Sequence, residues 1–222
     1  MTGFDDPAAV ARYTENPPRL VPGFSDLQRM TRLLLAEAAP PDGRILGVGA
    51  GGGLELRAFA EAQPDWRFVG VDPSAEMLKL ARLTLGALAE KAEMHECYIS
   101  SAPEGPFDGA TCLLTLHFVP VAERLATLTE IRRRLKPGAR LVIAHHSIPE
   151  APERAQWLDR FAAFAADNGI DFHKAKGGAR ALDEHLPILP PDAEMDLLRV
   201  AGFIDPCQFY AAFTFRGWVA QA

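Results

Sequence analysis

The sequence predicts an α/β fold: a mostly parallel sheet with helices on both faces and an antiparallel strand near the C-terminus. Three observations carry this expectation. Strand-length apolar segments alternate with segments of helical period between residues 44 and 144. Six of the 18 glycines crowd into residues 43–53, where the first strand would pass into the first of these helices. Two aromatic-rich stretches, residues 207–213 and 215–220, lie close enough to pair antiparallel. A chain of 222 residues that is 48% hydrophobic and 23% charged suits one globular domain, not disorder or a coiled coil.

Each element has its own signals. Residues 7–14 suit a short helix stopped by Asn16-Pro17-Pro18. After the turn at Val21-Pro22-Gly23, Ser25 is a suitable N-cap for a helix to about residue 38, with Leu27, Met30, Leu33 and Leu34 on one face. Residues 44–48 read as a buried strand, 54–62 as a helix and 67–71 as a second strand. Ser74 caps a helix expected to run to about residue 91. Strands follow at 94–98 and 108–114, then a helix over 121–135 with Lys136-Pro137-Gly138 as its stop, and a fifth strand over 140–144. Beyond Ser147 come a helix over 153–168 with Trp157, Phe161 and Phe164 in its apolar stripe, an ambiguous stretch over 173–185, and a helix over 192–201 closed by Gly202. Residues 1–39 are expected to form a helical cap and 148–202 an inserted helical lid on the single domain.

Composition narrows the function. The net charge of −6 argues against a nucleic-acid binder, which depends on neutralising phosphates. The one basic run, Arg132–Arg134 with Lys136, reads as a solvated helix end. Three widely spaced cysteines fit neither a disulfide framework nor a zinc site and suit a cytoplasmic location; no metal is expected. The acidic N-terminus does not read as a signal peptide, and the longest uncharged apolar stretch is too short to span a membrane.

The glycine cluster and one acid carry the chemistry. Glycines 49, 51 and 53 remove Cβ atoms where a ligand would approach the backbone, at the carboxyl ends of parallel strands where such folds bind ligands. No Gly-Lys-Ser/Thr follows, which excludes a phosphate P-loop, and Leu54 breaks a dinucleotide fingerprint begun at Gly49. Asp72, 21 positions after Gly51, ends the second strand, where a carboxylate can accept both hydroxyls of a ribose; the competing reading is a turn aspartate ahead of the next helix.

Gly49-Ala50-Gly51-Gly52-Gly53 with Asp72, and Arg134-Leu135-Lys136-Pro137-Gly138 ahead of the fifth strand, resemble the class I S-adenosylmethionine (SAM)-dependent methyltransferases. That resemblance implies a Rossmann-like seven-stranded sheet, SAM as cofactor and methyl transfer to an undetermined, small-molecule acceptor. Val21-Pro22-Gly23-Phe24, Leu113 to Phe118 and Ala201-Gly202-Phe203 are similar to the carboxy-SAM synthase branch. Carried over by residue, the resemblance gives Gly49, Ala50 and Gly51 the methionine and adenosyl part, Asp72 and Pro73 the ribose, Tyr98 and Ile99 the adenine, and Leu113 the sulfonium; Gly53 belongs to the same cofactor loop. Phe24, Met77 and Leu114 complete the expected cofactor wall. Arg180 would stand near the branch's carboxylate-gripping arginine, with Tyr13 as a second substrate-side residue and Arg12 beside it in the N-terminal arm. Four positions depart from the pattern: many relatives have an acid where Gly47 stands and many an acid where Tyr98 stands, and the branch has a tyrosine at Phe24 and an asparagine at Leu113. Plain methyl transfer is therefore preferred over carboxy-SAM synthesis. A non-catalytic SAM-binding protein and an NAD-dependent oxidoreductase remain as alternatives.

Histidines 117, 145 and 146 fall at the carboxyl edge of the fourth and fifth strands, making His117 or His145 the candidate general base, with a loop or partly buried histidine as the competing reading for each. Adjacent strand residues point to opposite faces, so at most one of 145 and 146 would reach a ligand. The apolar stripe of the 153–168 helix reads as packing; any exposed part of it would suit a homodimer interface.

Overall fold

The computed structural model describes residue 10 and residues 13–222. Arg12 and most of the helix expected over 7–14 lie outside the described residues; Tyr13–Glu15 form a 3-10 turn and Pro17–Leu20 a single helical turn. Seven strands follow: β1 (Arg44–Val48), β2 (Arg67–Asp72), β3 (Ala92–Glu96), β4 (Phe107–Leu113), β5 (Leu135–His146), β6 (Ile204–Ala212) and β7 (Phe215–Gln221). The helices are α1 (Phe24–Ala36), α2 (Leu54–Ala62), α3 (Ala75–Leu85), α4 (Val121–Arg133), α5 (Glu153–Asp167), α6 (Phe172–His185) and α7 (Pro191–Val200). The sheet order is β3-β2-β1-β4-β5-β7-β6, with only β7 running antiparallel to its neighbours. The order reverses between β1 and β4, which opens a crevice at their carboxyl ends.

Alternation along the strands assigns the two faces. Leu46, Val48, Val69, Val71, Leu141 and Ile143 pack with Leu128 and Ile131 of α4 and Leu198 of α7. Ile45, Phe68 and Val142 point the other way, onto Leu35 of α1 and Leu56 and Phe59 of α2. Leu113 and Ala144, also on that side, meet Leu27 of α1, Leu158 and Phe161 of α5, and Ala179 of α6.

Several boundaries differ from those the sequence suggests. Helix α1 starts two residues earlier, because Gly23 adopts φ +64° and takes the N-cap; Ser25 sits inside the first turn. Ser74 does cap α3, its hydroxyl accepting from Met77 N–H at 3.2 Å, but the helix stops at Leu85, where Gly86 turns to φ +55°. Strand β3 lies two residues earlier than expected, leaving Tyr98 and Ile99 in the turn beyond it. Lys136-Pro137-Gly138 is no stop: α4 ends at Arg133, and β5 runs through these residues with a register shift against β4. The ambiguous 173–185 stretch is helix α6.

The basic run is paired, not a solvated helix end. Arg134 is fully buried and donates to the carbonyls of Ser100, Ala102, Pro103 and Glu130, while Arg133 pairs with Glu104 and Glu130. A second buried arginine, Arg124 of α4, holds Glu194 of α7 at 2.6 Å and donates to the carbonyls of Val119 and Pro187. These bonds tie the chain after β4 to the start of α7. His145 Nε2 lies 3.1 Å from the same Glu194 oxygen, without the direction of a hydrogen bond, and its ring packs against Trp218. His146, on the other face, stacks on Phe215, meets the edge of Phe161 and shares a 2.9 Å hydrogen bond with Thr214. His117 lies between them, its ring 4.9 Å from that of His146, and its Nδ1 accepts from the His146 N–H.

Two predictions follow from this packing. Gly53 has φ +76°, and a Cβ there would come within 2.8 Å of the Ala81 backbone, whereas Gly86 has φ +55° with open space around it. Gly53→Ala is therefore expected to lose roughly 3 kcal/mol in urea denaturation and Gly86→Ala only about 1 kcal/mol, the cost of the left-handed backbone alone. The second concerns pH. Burial pushes His146 down to about 3 and His117 well below its ordinary value. Both are neutral when folded and take up protons on unfolding, so their contribution is complete above pH 6.5 and is lost toward pH 3. The melting temperature should fall across that window, and His146→Phe should flatten the fall.

Candidate functional site

The crevice is built from the loops after β1, β2, β3 and β4. After Val48 the chain turns over the end of β2: Gly49 and Ala50 both donate to the Val71 carbonyl, at 2.9 and 3.0 Å. Asp72 then clasps the loop, accepting from Gly51 N–H through one carboxylate oxygen and from Ser74 N–H through the other, each at 2.9 Å. The turn role weighed for this residue is therefore present, and the same carboxylate also lines the cleft. After β4 the chain reverses at Leu114, a non-glycine residue at φ +55°, and Thr115 returns its hydroxyl to the Leu113 carbonyl. A backbone held in this region marks a segment over-determined by its surroundings.

The glycines are there for different reasons from those the sequence suggests. A Cβ on Gly49 would stand 2.2 Å from the Thr115 hydroxyl, so Gly49 lets the β1 and β4 loops meet. Gly53 admits α3, and Gly52 leaves room for the Tyr13 ring, which would lie 3.0 Å from its Cβ. At Gly51 a Cβ would make only ordinary contacts, and φ +51° is the constraint.

The resulting cleft has two adjoining parts that share Tyr13, Gly49, Gly51 and Leu114. The larger, about 750 Å³, runs from the glycine loop past Asp72, Pro73 and Met77 to Ile99 and the exposed Tyr98, with Phe118 and α4 on the far wall. The smaller, about 30 Å³, lies between Ala50, Gly53, Leu113 and the residues Pro17, Phe24, Leu27 and Gln28. All the residues expected to hold the cofactor thus line the cleft. The larger part lies within the range of ordinary small-molecule sites. Its backbone loop, carboxylate and apolar walls fit a ligand with a polar tail, a ribose and a flat base.

Three expected residues are not brought there. Neither His117 nor His145 lines the cleft: the helices cover both sheet faces, and both rings are buried in the core. Arg180 stands on the exposed side of α6, paired with Glu184 one turn on, and lines neither part. Tyr13 does reach the cleft; burial, with the Glu55 and Asp72 carboxylates nearby, pushes its hydroxyl up to about 12.

One residue the sequence reading passed over is Glu55, in the first turn of α2. Its carboxyl is buried beneath the glycine loop, accepts from the Thr111 hydroxyl at 2.8 Å, and lies 3.6 Å from where a Gly47 Cβ would stand. Burial raises it to about 8. Its position among helix-forming residues gave no local signal of this.

Residues 45–138 match the family model described as a methyltransferase domain. A demethylmenaquinone methyltransferase of Symbiobacterium thermophilum is 32% identical over 183 residues, 74% of this chain and 70% of that protein. A carboxy-SAM synthase of Chromohalobacter salexigens is 26% identical over 220 residues, 97% of this chain and 82% of that protein. Among solved structures, an O-methyltransferase family protein from Burkholderia thailandensis superposes with a TM-score of 0.70 at 16% identity, over 97% of this chain and 60% of that one. This chain therefore spans less than two thirds of that solved chain. A sheet ordered 3-2-1-4-5-7-6 around a glycine loop, an acid closing β2 and these matches agree: the chain belongs to the class I SAM-dependent methyltransferase family.

Proposed function

We propose that the cleft holds SAM with its amino-acid end over Gly49–Gly53, its ribose on Asp72 and its adenine between Tyr98 and Ile99, and that the methyl group passes to a small-molecule acceptor entering beside Phe24, Leu113 and Leu114. The observation that carries this reading is the continuity of the cleft from the glycine loop past Asp72 to Tyr98.

SAM supplies an already activated sulfonium methyl. The protein's share is alignment and exclusion of water. Gly51 N–H, held by Asp72, fixes the loop against which the cofactor's tail would lie. Leu113, Leu114, Leu27 and Phe24 give the acceptor side an apolar wall. Tyr13 enters with its proton in place, since its hydroxyl is raised, and the three histidines lie behind the wall. The site therefore suits an acceptor that needs no strong base from the protein. Carboxy-SAM synthesis would ask for an arginine at the sulfonium, and the exposed placement of Arg180 speaks against it. The three unbonded thiols fit a reducing, cytoplasmic setting. Helices α5 and α6 pack behind Leu27 and Leu113 of the acceptor side. No helix among the described residues is long and apolar enough to cross a membrane.

Mass spectrometry of ligand released from the purified protein tests the reading. SAM or S-adenosylhomocysteine is expected; carboxy-SAM would favour the other branch chemistry, and a nicotinamide dinucleotide would overturn both. Asp72→Asn should weaken SAM binding roughly 10- to 100-fold in calorimetry, the scale of a lost charged hydrogen bond. Unchanged affinity would remove Asp72 from the ribose role.

A further inference from the structure

Glu55 is a carboxyl in an unusual position. It belongs to the first turn of α2, where the helix N-terminus favours negative charge, yet it is 8% exposed and protonated at neutral pH because burial outweighs the dipole. Thr111 donates to one oxygen, and among the described residues no lysine or arginine pairs with it. Among the described residues, the titratable groups that interact with it are potential anions. They are Tyr13 from the N-terminal turn, with Asp72 of β2 acting on that same hydroxyl, and Cys112 of β4, whose thiol burial pushes far up. No lysine or arginine among the described residues lines the cleft, and such a floor is complementary to a positively charged ligand group. Glu55 lines the smaller part of the cleft together with Gly49–Gly53, the end at which the cofactor's amino-acid tail is placed above.

We infer that Glu55 is the counter-ion of the cofactor's α-ammonium group, and that it gives up its proton when the cofactor binds. This rests on the cofactor placement just proposed. The balance is a neutral carboxylic acid and a cationic ammonium becoming a carboxylate–ammonium pair and one released proton; no bond to carbon changes. Tyr13, over the glycine loop, keeps its proton and seals the pair from water. Affinity then rises with pH as Glu55 becomes ionised in the free protein, and falls again where the free ligand's α-ammonium loses its own proton. Asp72 has a separate task, the ribose placed above, and its oxygens also hold the backbone N–H groups of Gly51 and Ser74.

Titration calorimetry at pH 7 in two buffers of different ionisation enthalpy counts the protons. Three ligands separate the charges: SAM carries sulfonium and ammonium, S-adenosylhomocysteine only the ammonium, and 5′-methylthioadenosine neither. The expected result is close to one proton released by SAM and by S-adenosylhomocysteine and none by methylthioadenosine. In Glu55→Gln the release should vanish and the affinity for S-adenosylhomocysteine fall roughly tenfold or more, with methylthioadenosine unaffected. Release with SAM alone would overturn the ammonium assignment, as would release that persists in Glu55→Gln. Wild-type binding without proton release sinks the Glu55 assignment but leaves the cofactor placement standing. Failure of all three ligands to bind sinks the placement and the assignment together. The wild-type proton count stands even if Glu55→Gln does not fold.

Discussion

The Asp72 carboxylate, spread between the N–H groups of Gly51 and Ser74, is the contact on which the rest of the cleft depends. It joins the end of β2, the crest of the glycine loop and the start of α3 at one point. Charge-assisted bonds of this kind are short and directional, so the loop cannot sink into the space a ligand needs. The same loop is anchored below by the paired N–H groups of Gly49 and Ala50 on Val71, and laterally by the Gly49–Thr115 approach. The crevice created by the strand order thus has a rim held from three neighbouring strands.

Behind that rim lies a polar scaffold of unusual depth. Arg124 and Arg134 are both fully buried, each donating to carbonyls of irregular chain that the sheet leaves unpaired. Arg134 gathers the turn that carries Ser100 and Ala102, just after Tyr98 and Ile99; Arg124 gathers the turn that carries Val119. Loops cannot lie against a hydrophobic core with bare carbonyls, and a guanidinium with five donors can answer several at once. The two arginines allow the cleft to have irregular walls and a rigid backing together. The histidines of β5 and the β4 loop are buried within this backing.

Much of this was legible in the chain. The β1, α2 and hairpin segments, the glycine loop and Asp72 announced themselves because each is a local pattern: alternation, helical period, or a small residue where only a small residue turns. The failures share a cause. His117, His145 and Arg180 were placed by their position along a strand or helix, and whether a side chain at that position meets solvent, core or cleft is decided by what packs over it. Glu194 and Phe161, from helices later in the chain, decide it for the two strand histidines. Lys136-Pro137-Gly138 reads as a break, yet β5 continues through it because β4 supplies a partner across a register shift. Glu55 is the same lesson reversed: an unremarkable glutamate at a helix start becomes a buried acid because Gly47 has no side chain to keep it out.

The glycine at position 52 and the ring of Tyr13 above it give the cleft two unlike ends. One end runs to the exposed Tyr98; the other is walled by residues between Tyr13 and Gln28. A group beside Phe24 therefore meets the Tyr13 ring lying on the glycine loop, whereas the far end is bordered by a ring that already stands in solvent. The width of the cleft at its Phe24 end is thus set by how one aromatic ring rests on one backbone ledge.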